Sequence, residues 1–108
     1  AGLAAEATVA ASYTNAGYGI RNTRWCTKEG EIDLVLQDDD AIVFCEVKQS
    51  KTHDTAMERI TPAKQRRLYR TAEAYLAAHG FDQQTNVRFD VGLVDAVGRV
   101  QIVENAFA

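Results

Sequence analysis

Apolar and polar positions along the chain switch between a helical and a strand period. Residues 3–15, LAAEATVAASYTN, spread Leu3, Ala7, Ala10 and Ala11 at helical spacing, and their alanine richness predicts a helix carrying Glu6 near its start. Asn15 and Gly17 supply a stop. Residues 18–25 are strand-like but polar, which predicts an edge or rim strand. After a turn at Lys28-Glu29-Gly30, residues 31–37 alternate Ile32, Leu34 and Leu36 with more polar positions and read as a strand. Asp38-Asp39-Asp40 reads as a turn, residues 41–48 as the next strand, and residues 49–57 as a polar, mobile connection. Thr61 as N-cap and Pro62 at the first helical position open a second helix, which runs to about His79 and stops at Gly80. Its apolar stripe is Leu68, Ala72, Tyr75 and Leu76. Residues 87–94 and 99–103 are two further strands around a turn at 96–98. The order α-β-β-β-α-β-β defines an α/β fold, a mixed β-sheet flanked by helices.

The hairpin at 30–48, GEIDLVLQDDDAIVFCEVK, has the apolar content of two buried strands, yet carries Glu31, Asp33, Glu46 and Lys48. Charges are seldom buried unpaired. With a tight turn at Asp39-Asp40, Asp38 pairs with Ala41, so Asp33 faces Glu46 and Glu31 faces Lys48. This register gathers the four charges on one face and puts Ile32, Leu34, Leu36, Val43, Cys45 and Val47 on the other; a slip of one residue would separate Asp33 from Glu46. Opposed carboxylates repel, and one takes up a proton unless a cation compensates. A divalent metal such as Mg²⁺ does so, binding one or two carboxylates plus waters and a phosphate oxygen. A neighbouring lysine then orients water or stabilises charge on the phosphate. On pattern alone a second reading stands beside this one: a salt-bridged cluster on a solvated sheet face, with Glu31 the partner of Lys48.

Length and composition, 108 residues with 46% hydrophobic and 25% charged, describe one globular domain over residues 1–108. No apolar run reaches membrane-span length and the first residues lack a signal-peptide pattern, so no membrane partner and a cytoplasmic location are expected. Cys26 and Cys45 have no metal-site spacing and imply no disulfide framework, as expected of a reducing compartment, with Cys45 a buried thiol. A net charge of −3 argues against a generally basic nucleic-acid binder. Locally, however, Arg59, Lys64, Arg66, Arg67 and Arg70 follow one another with no acid between them, which reads either as a solvated face or as a phosphate-contacting one. Arg88 and Asp90 flank Phe89 on an interior strand and read as a paired structural element. His53 has no evident partner, and Trp25 reads as a rim or dimer contact.

Asp33 followed at distance by Glu46-Val47-Lys48 resembles the PD-(D/E)xK motif of the restriction-endonuclease-like superfamily. Nearly the whole chain resembles the YraN-like family of small bacterial proteins. The matching pieces are Glu6 in an alanine-rich helix, Gly17-Tyr18 with Ile20, Arg24-Trp25, Gly30-Glu31-Ile32-Asp33, Phe44 through Lys48, Lys64, and Arg88-Phe89-Asp90-Val91. GEID, EVK and RFDV in that order are specific. The resemblance implies a four-stranded mixed sheet flanked by helices and kinship with archaeal Holliday-junction resolvases. Carried over, it implies Glu6, Asp33, Glu46 and Lys48 as catalytic residues. Two departures stand out: Ser50 replaces a usual basic residue, followed by Lys51, and Ala5 precedes Glu6 where a glycine is usual.

The expectation is therefore a Mg²⁺- or Mn²⁺-dependent endonuclease acting on DNA, branched or damaged. Asp33 and Glu46 would hold the metal, helped by the Val47 carbonyl, Lys48 would position water, and Glu6 would support the metal or its waters. Lys64, Arg66, Arg67, Arg70 and Lys51 would contact the nucleic acid, with Lys64 nearest the site because its helix follows the motif strand. One small domain offers little DNA-contacting surface, which suggests a homodimer. The rivals are a catalytically inactive module of the same fold that binds nucleic acid or protein, favoured by the acidic net charge and Ser50, and an RNA-directed role.

Overall fold

A computed structural model describes residues 3–107. The elements run α1 (Leu3–Asn15), β1 (Gly19–Thr27), β2 (Gly30–Asp38), β3 (Ala41–Gln49), α2 (His53–Glu58), α3 (Pro62–Ala78), β4 (Asn86–Val94) and β5 (Val100–Val103). The strands form one sheet in chain order, β1-β2-β3-β4-β5, so the four strands implied by the family resemblance are five. Every neighbouring pair is antiparallel except β3 and β4. A parallel neighbour requires a crossover, and α2 and α3 supply it. This is a mixed sheet flanked by helices, in an order matching the restriction-endonuclease-like arrangement.

The helices cover opposite faces. On one, Ala5, Val9 and Tyr13 of α1 pack on Leu34, Leu36, Val43, Cys45 and Val47. On the other, Leu68, Ala72 and Tyr75 of α3 pack on Ile32, Val35, Ile42 and Phe44. Gly92 in β4 lets α1 sit close, because a Cβ there would lie 2.7 Å from Val9 Cγ1. A buried network ties α1 to the same strand: Tyr13 donates to Asp90 Oδ2 at 2.7 Å, and Arg88 grips both Asp90 oxygens at 2.9 Å. Arg88 and Asp90 are thus the paired structural element expected from their spacing.

Two expectations about the connections need correction. Residues 49–57 are not a mobile connection throughout, because α2 begins at His53. Thr52 caps it by accepting from Thr55 N–H, and Ala56 is fully buried against Val91 and Leu93 of β4. One buried side chain in a single turn and a half leaves no readable period. His53 has partners after all: its ring lies 3.1 Å from Gln101 Oε1 and 3.0 Å from the Arg99 carbonyl, on the β5 side. Trp25 is, as expected, a rim contact: it stands half-buried on the edge strand β1, edge-on to Tyr75 with centroids 5.1 Å apart.

The hairpin register is the expected one, with Asp38 paired to Ala41 and Leu34 to Cys45. The face assignment differs at one residue. Ile32 packs on the α3 side with Val35, while Leu34 and Leu36 pack on the α1 side. The alternation therefore breaks at Asp33. Across the sheet, between the pairs Thr23–Leu34 and Trp25–Ile32, Arg24 has a φ of +50°, which few residues with a side chain adopt. Both strands change face at the same level, and that level is where the charges gather. No described helix is long and apolar enough to cross a membrane.

Candidate functional site

Backbone pairing of β2 with β3 ends at Leu34–Cys45, one step before Asp33 and Glu46. Beyond it the Asp33 side chain takes over, and Oδ2 accepts from Val47 N–H at 2.8 Å. The strands thus part around a cavity of about 280 Å³. α1 contributes Glu6 to its wall, β1 Arg24, β2 Glu31 and Asp33, β3 Glu46, Val47 and Lys48, and α3 Lys64, Arg67 and Leu68. The lining carries four acidic and four basic side chains, so it is formally neutral when all are ionised.

Glu46 sits closest to conflict. Burial first, then the hydrogen bond and repulsion from Asp33, push its carboxyl up to about 8, against the pull of Lys48 and Lys64. At neutral pH Glu46 therefore keeps its proton beside Asp33. Lys48 Nζ lies 3.7 Å from Glu46 Oε2, with both side chains largely covered. Lys48 thus pairs with Glu46 and not with Glu31, correcting the cross-strand partner read from register. Glu31 is exposed and accepts instead from Cys26 Sγ at 3.5 Å.

The donor chemistry fits a hard divalent cation. The two acids that meet offer only oxygen, and a cation would take the place of the proton that Glu46 holds. Among the described residues no group of three or more His, Cys, Asp or Glu is arranged to hold a metal ion.

Glu6 reaches the cavity from α1 and is buried at 6% exposure, but its partner is Arg24, whose Nε donates to Oε1 at 2.8 Å. α3 divides the basic residues expected to contact nucleic acid. Its N-terminus is set by Thr61, which accepts from Lys64 N–H at 3.3 Å, and Lys64 and Arg67 line the cavity. Arg67 lies directly over Gly30, where a Cβ would come 3.0 Å from its side chain. Arg66 is exposed outside the cavity, and Arg70 faces Glu29 in the β1–β2 turn at 3.7 Å. Lys51 belongs to a separate depression beside His53, Asp95 and Arg99. The residue that spacing missed is Arg24. It stands in a polar edge strand whose pattern carries no signal of which way its side chain points. Cys45 is buried, and burial pushes its thiol up to about 12, while Cys26 is also free.

The sheet order and the flanking helices match a restriction-endonuclease-like α/β arrangement, with the charged cavity at the open end of its central hairpin. The family model described as "Uncharacterised protein family UPF0102" matches residues 5–94, and the chain belongs to that family, the YraN-like one. A UPF0102 protein of Roseobacter denitrificans is 47% identical over all 108 residues, covering 84% of that relative. One from Ruegeria pomeroyi is 45% identical over 107 residues, covering 99% of this chain and 87% of the relative. One from Cereibacter sphaeroides is 44% identical over 108 residues, covering 92% of the relative.

Proposed function

We propose that this protein is a metal-dependent endonuclease that hydrolyses phosphodiester bonds in DNA, branched or damaged, with Mg²⁺ or Mn²⁺ as cofactor. The observation that carries this reading is the meeting of Asp33 and Glu46 beside Lys48, where β2–β3 pairing stops. When bound, the cation would supply Lewis-acid polarisation of the phosphate and a water of lowered pKa.

The chain's own residues do the rest. Asp33 keeps Oδ2 on the Val47 amide, which fixes the carboxylate that would hold the cation. Glu46 would give up its proton to hold the cation with Asp33, and Val47, also on the cavity wall, would assist through its carbonyl. The Lys48 ammonium is a compact charge that steadies the attacking water and the negative charge developing on phosphate. A dication would turn the formally neutral lining to a net +2, which favours an anionic phosphodiester. Lys64 and Arg67 are placed to meet the flanking phosphates. A second copy of the chain would double the DNA-contacting surface, and a homodimer belongs to the same reading.

One observation favours the rival reading, an inactive nucleic-acid or protein-binding module: the lack of a three-residue metal cluster among the described residues. The deciding experiment incubates the protein with duplex, single-stranded and four-way-junction DNA, and with RNA of the same sequences, in Mn²⁺. Glu46→Ala and Lys48→Ala run in parallel. The enzyme reading expects cleavage of at least one DNA by the wild type and none by either variant. Binding without cleavage supports the module. Cleavage of RNA alone redirects the substrate. Cleavage that persists in both variants places the chemistry elsewhere.

A further inference from the structure

Arg24 is held in an unusual way. Its backbone adopts φ +50° inside a strand, a conformation that a side chain with a Cβ disfavours. Such strain persists only where the surroundings impose it, and it concentrates at sites that bind or react. The flip aims Arg24 into the cavity, with a side chain still 44% exposed. There Glu6, which is buried, takes one edge of the guanidinium through Nε at 2.8 Å. Among the described residues Nη1 and Nη2 have no hydrogen-bond partner. A guanidinium engaged on its Nε edge keeps its other end, two parallel N–H donors, for a second planar or tetrahedral anion. Glu31 and Asp33 also lie close enough to attract the charge, yet neither is within hydrogen-bonding contact. Glu6, for its part, is committed to Arg24, and the acids that press on each other are Asp33 and Glu46.

We propose that Arg24 is a phosphate-binding residue of this site and that Glu6 is a positioning residue that holds Arg24, not a ligand of the metal or its waters. The inference rests on the nuclease reading for the phosphate it names. It reassigns the role that the family resemblance implies for Glu6. Buried Glu6 fixes the Nε edge from α1, β1 delivers the guanidinium through its strained turn of backbone, and the Nη end faces the substrate across the cavity from Lys64 and Arg67. A lysine at 24 could meet Glu6 or a phosphate but not both in this geometry.

The test compares wild type with Arg24→Ala, Arg24→Lys, Glu6→Gln and Asp33→Asn. Two quantities are read: Mn²⁺ affinity by calorimetry, and affinity for a labelled four-way DNA junction in Ca²⁺ as a function of salt. Arg24→Ala and Glu6→Gln should each weaken junction binding by about tenfold while changing Mn²⁺ affinity less than about twofold. Arg24→Ala should also reduce the slope of log affinity against log salt by about one phosphate contact, which a purely structural residue would not do. Arg24→Lys should fail to restore affinity. Loss of Mn²⁺ binding in Glu6→Gln to the extent seen in Asp33→Asn would make Glu6 a metal residue and overturn the assignment. Unchanged junction affinity and salt slope in Arg24→Ala would overturn it as well, as would a wild type that binds no junction. Thermal melts of Arg24→Ala, whose side chain is half-exposed, separate loss of binding from loss of fold. If Asp33→Asn binds Mn²⁺ as wild type does, the metal-site reading fails on its own, and the junction data still decide the role of Arg24.

Discussion

Asp33 Oδ2 accepts the Val47 amide at 2.8 Å across the point where the β2–β3 ladder ends, so one carboxylate both closes the hairpin and opens the cavity. The two roles can be separated. Asp33→Ala leaves the Val47 amide without its acceptor in a part-buried setting and should cost about 1–3 kcal/mol in urea unfolding. Asp33→Asn keeps an oxygen acceptor and should retain most of that stability while losing metal-dependent behaviour. Equal destabilisation by both variants would contradict the backbone role.

Glu46 gives the metal-free protein a specific pH dependence. Its folded pKa is raised from 4.5 to about 8, so the folded state binds the extra proton between those values. The associated stability is fully present below pH 4.5 and is lost as pH rises through about 8. The melting temperature of the metal-free chain should therefore fall between pH 6 and pH 9 more steeply than that of Glu46→Gln, whose side chain does not titrate. Parallel curves would remove the Asp33–Glu46 conflict from the account.

Gly92 and Val9 set the distance of α1 from the sheet. Gly92→Ala places a methyl 2.7 Å from Val9 Cγ1 and should destabilise by about 1–3 kcal/mol through overpacking. Adding Val9→Ala should recover part of that loss by opening the space. Failure of the second substitution to help in a thermal melt would show that the strain lies elsewhere.

The basic residues separate by position. Lys64→Ala and Arg67→Ala, both on the cavity wall, should each lower the salt dependence of DNA binding by about one phosphate contact. Arg70→Ala, at the Glu29 turn, and Lys51→Ala, in the separate depression, should change it less. The reverse order in an anisotropy titration would move the nucleic-acid track away from the cavity.

Much of this is legible in the sequence alone. The Asp38–Asp40 turn fixed the hairpin count, Thr61-Pro62 marked the start of α3, and the polar stretch before Trp25 marked an edge. What stayed hidden depends on contacts distant in sequence. Ile32 follows the alternation of Leu34 and Leu36 on paper, but α3 recruits it to the opposite face. The same break turns Arg24 inward, and a backbone conformation of one residue leaves no trace in a hydrophobic pattern. α2 is too short to show a period, and its stability comes from Ala56 against β4 and from His53 against β5. The pairing of Glu6 with Arg24 joins α1 to an edge strand through one ion pair, which no spacing rule anticipates.

The central claim, that Glu46 gives up the proton it holds beside Asp33 when a divalent cation binds, is tested most directly by titrating Mn²⁺ into the protein in buffers of different ionisation enthalpy. At pH 7, below the pKa of about 8 on Glu46, the account predicts about one Mn²⁺ per chain with release of close to one proton. Release should fade toward pH 9, and Glu46→Gln should bind more weakly with no proton released. Binding by the wild type without proton release at pH 7, or no binding at any pH, would contradict it.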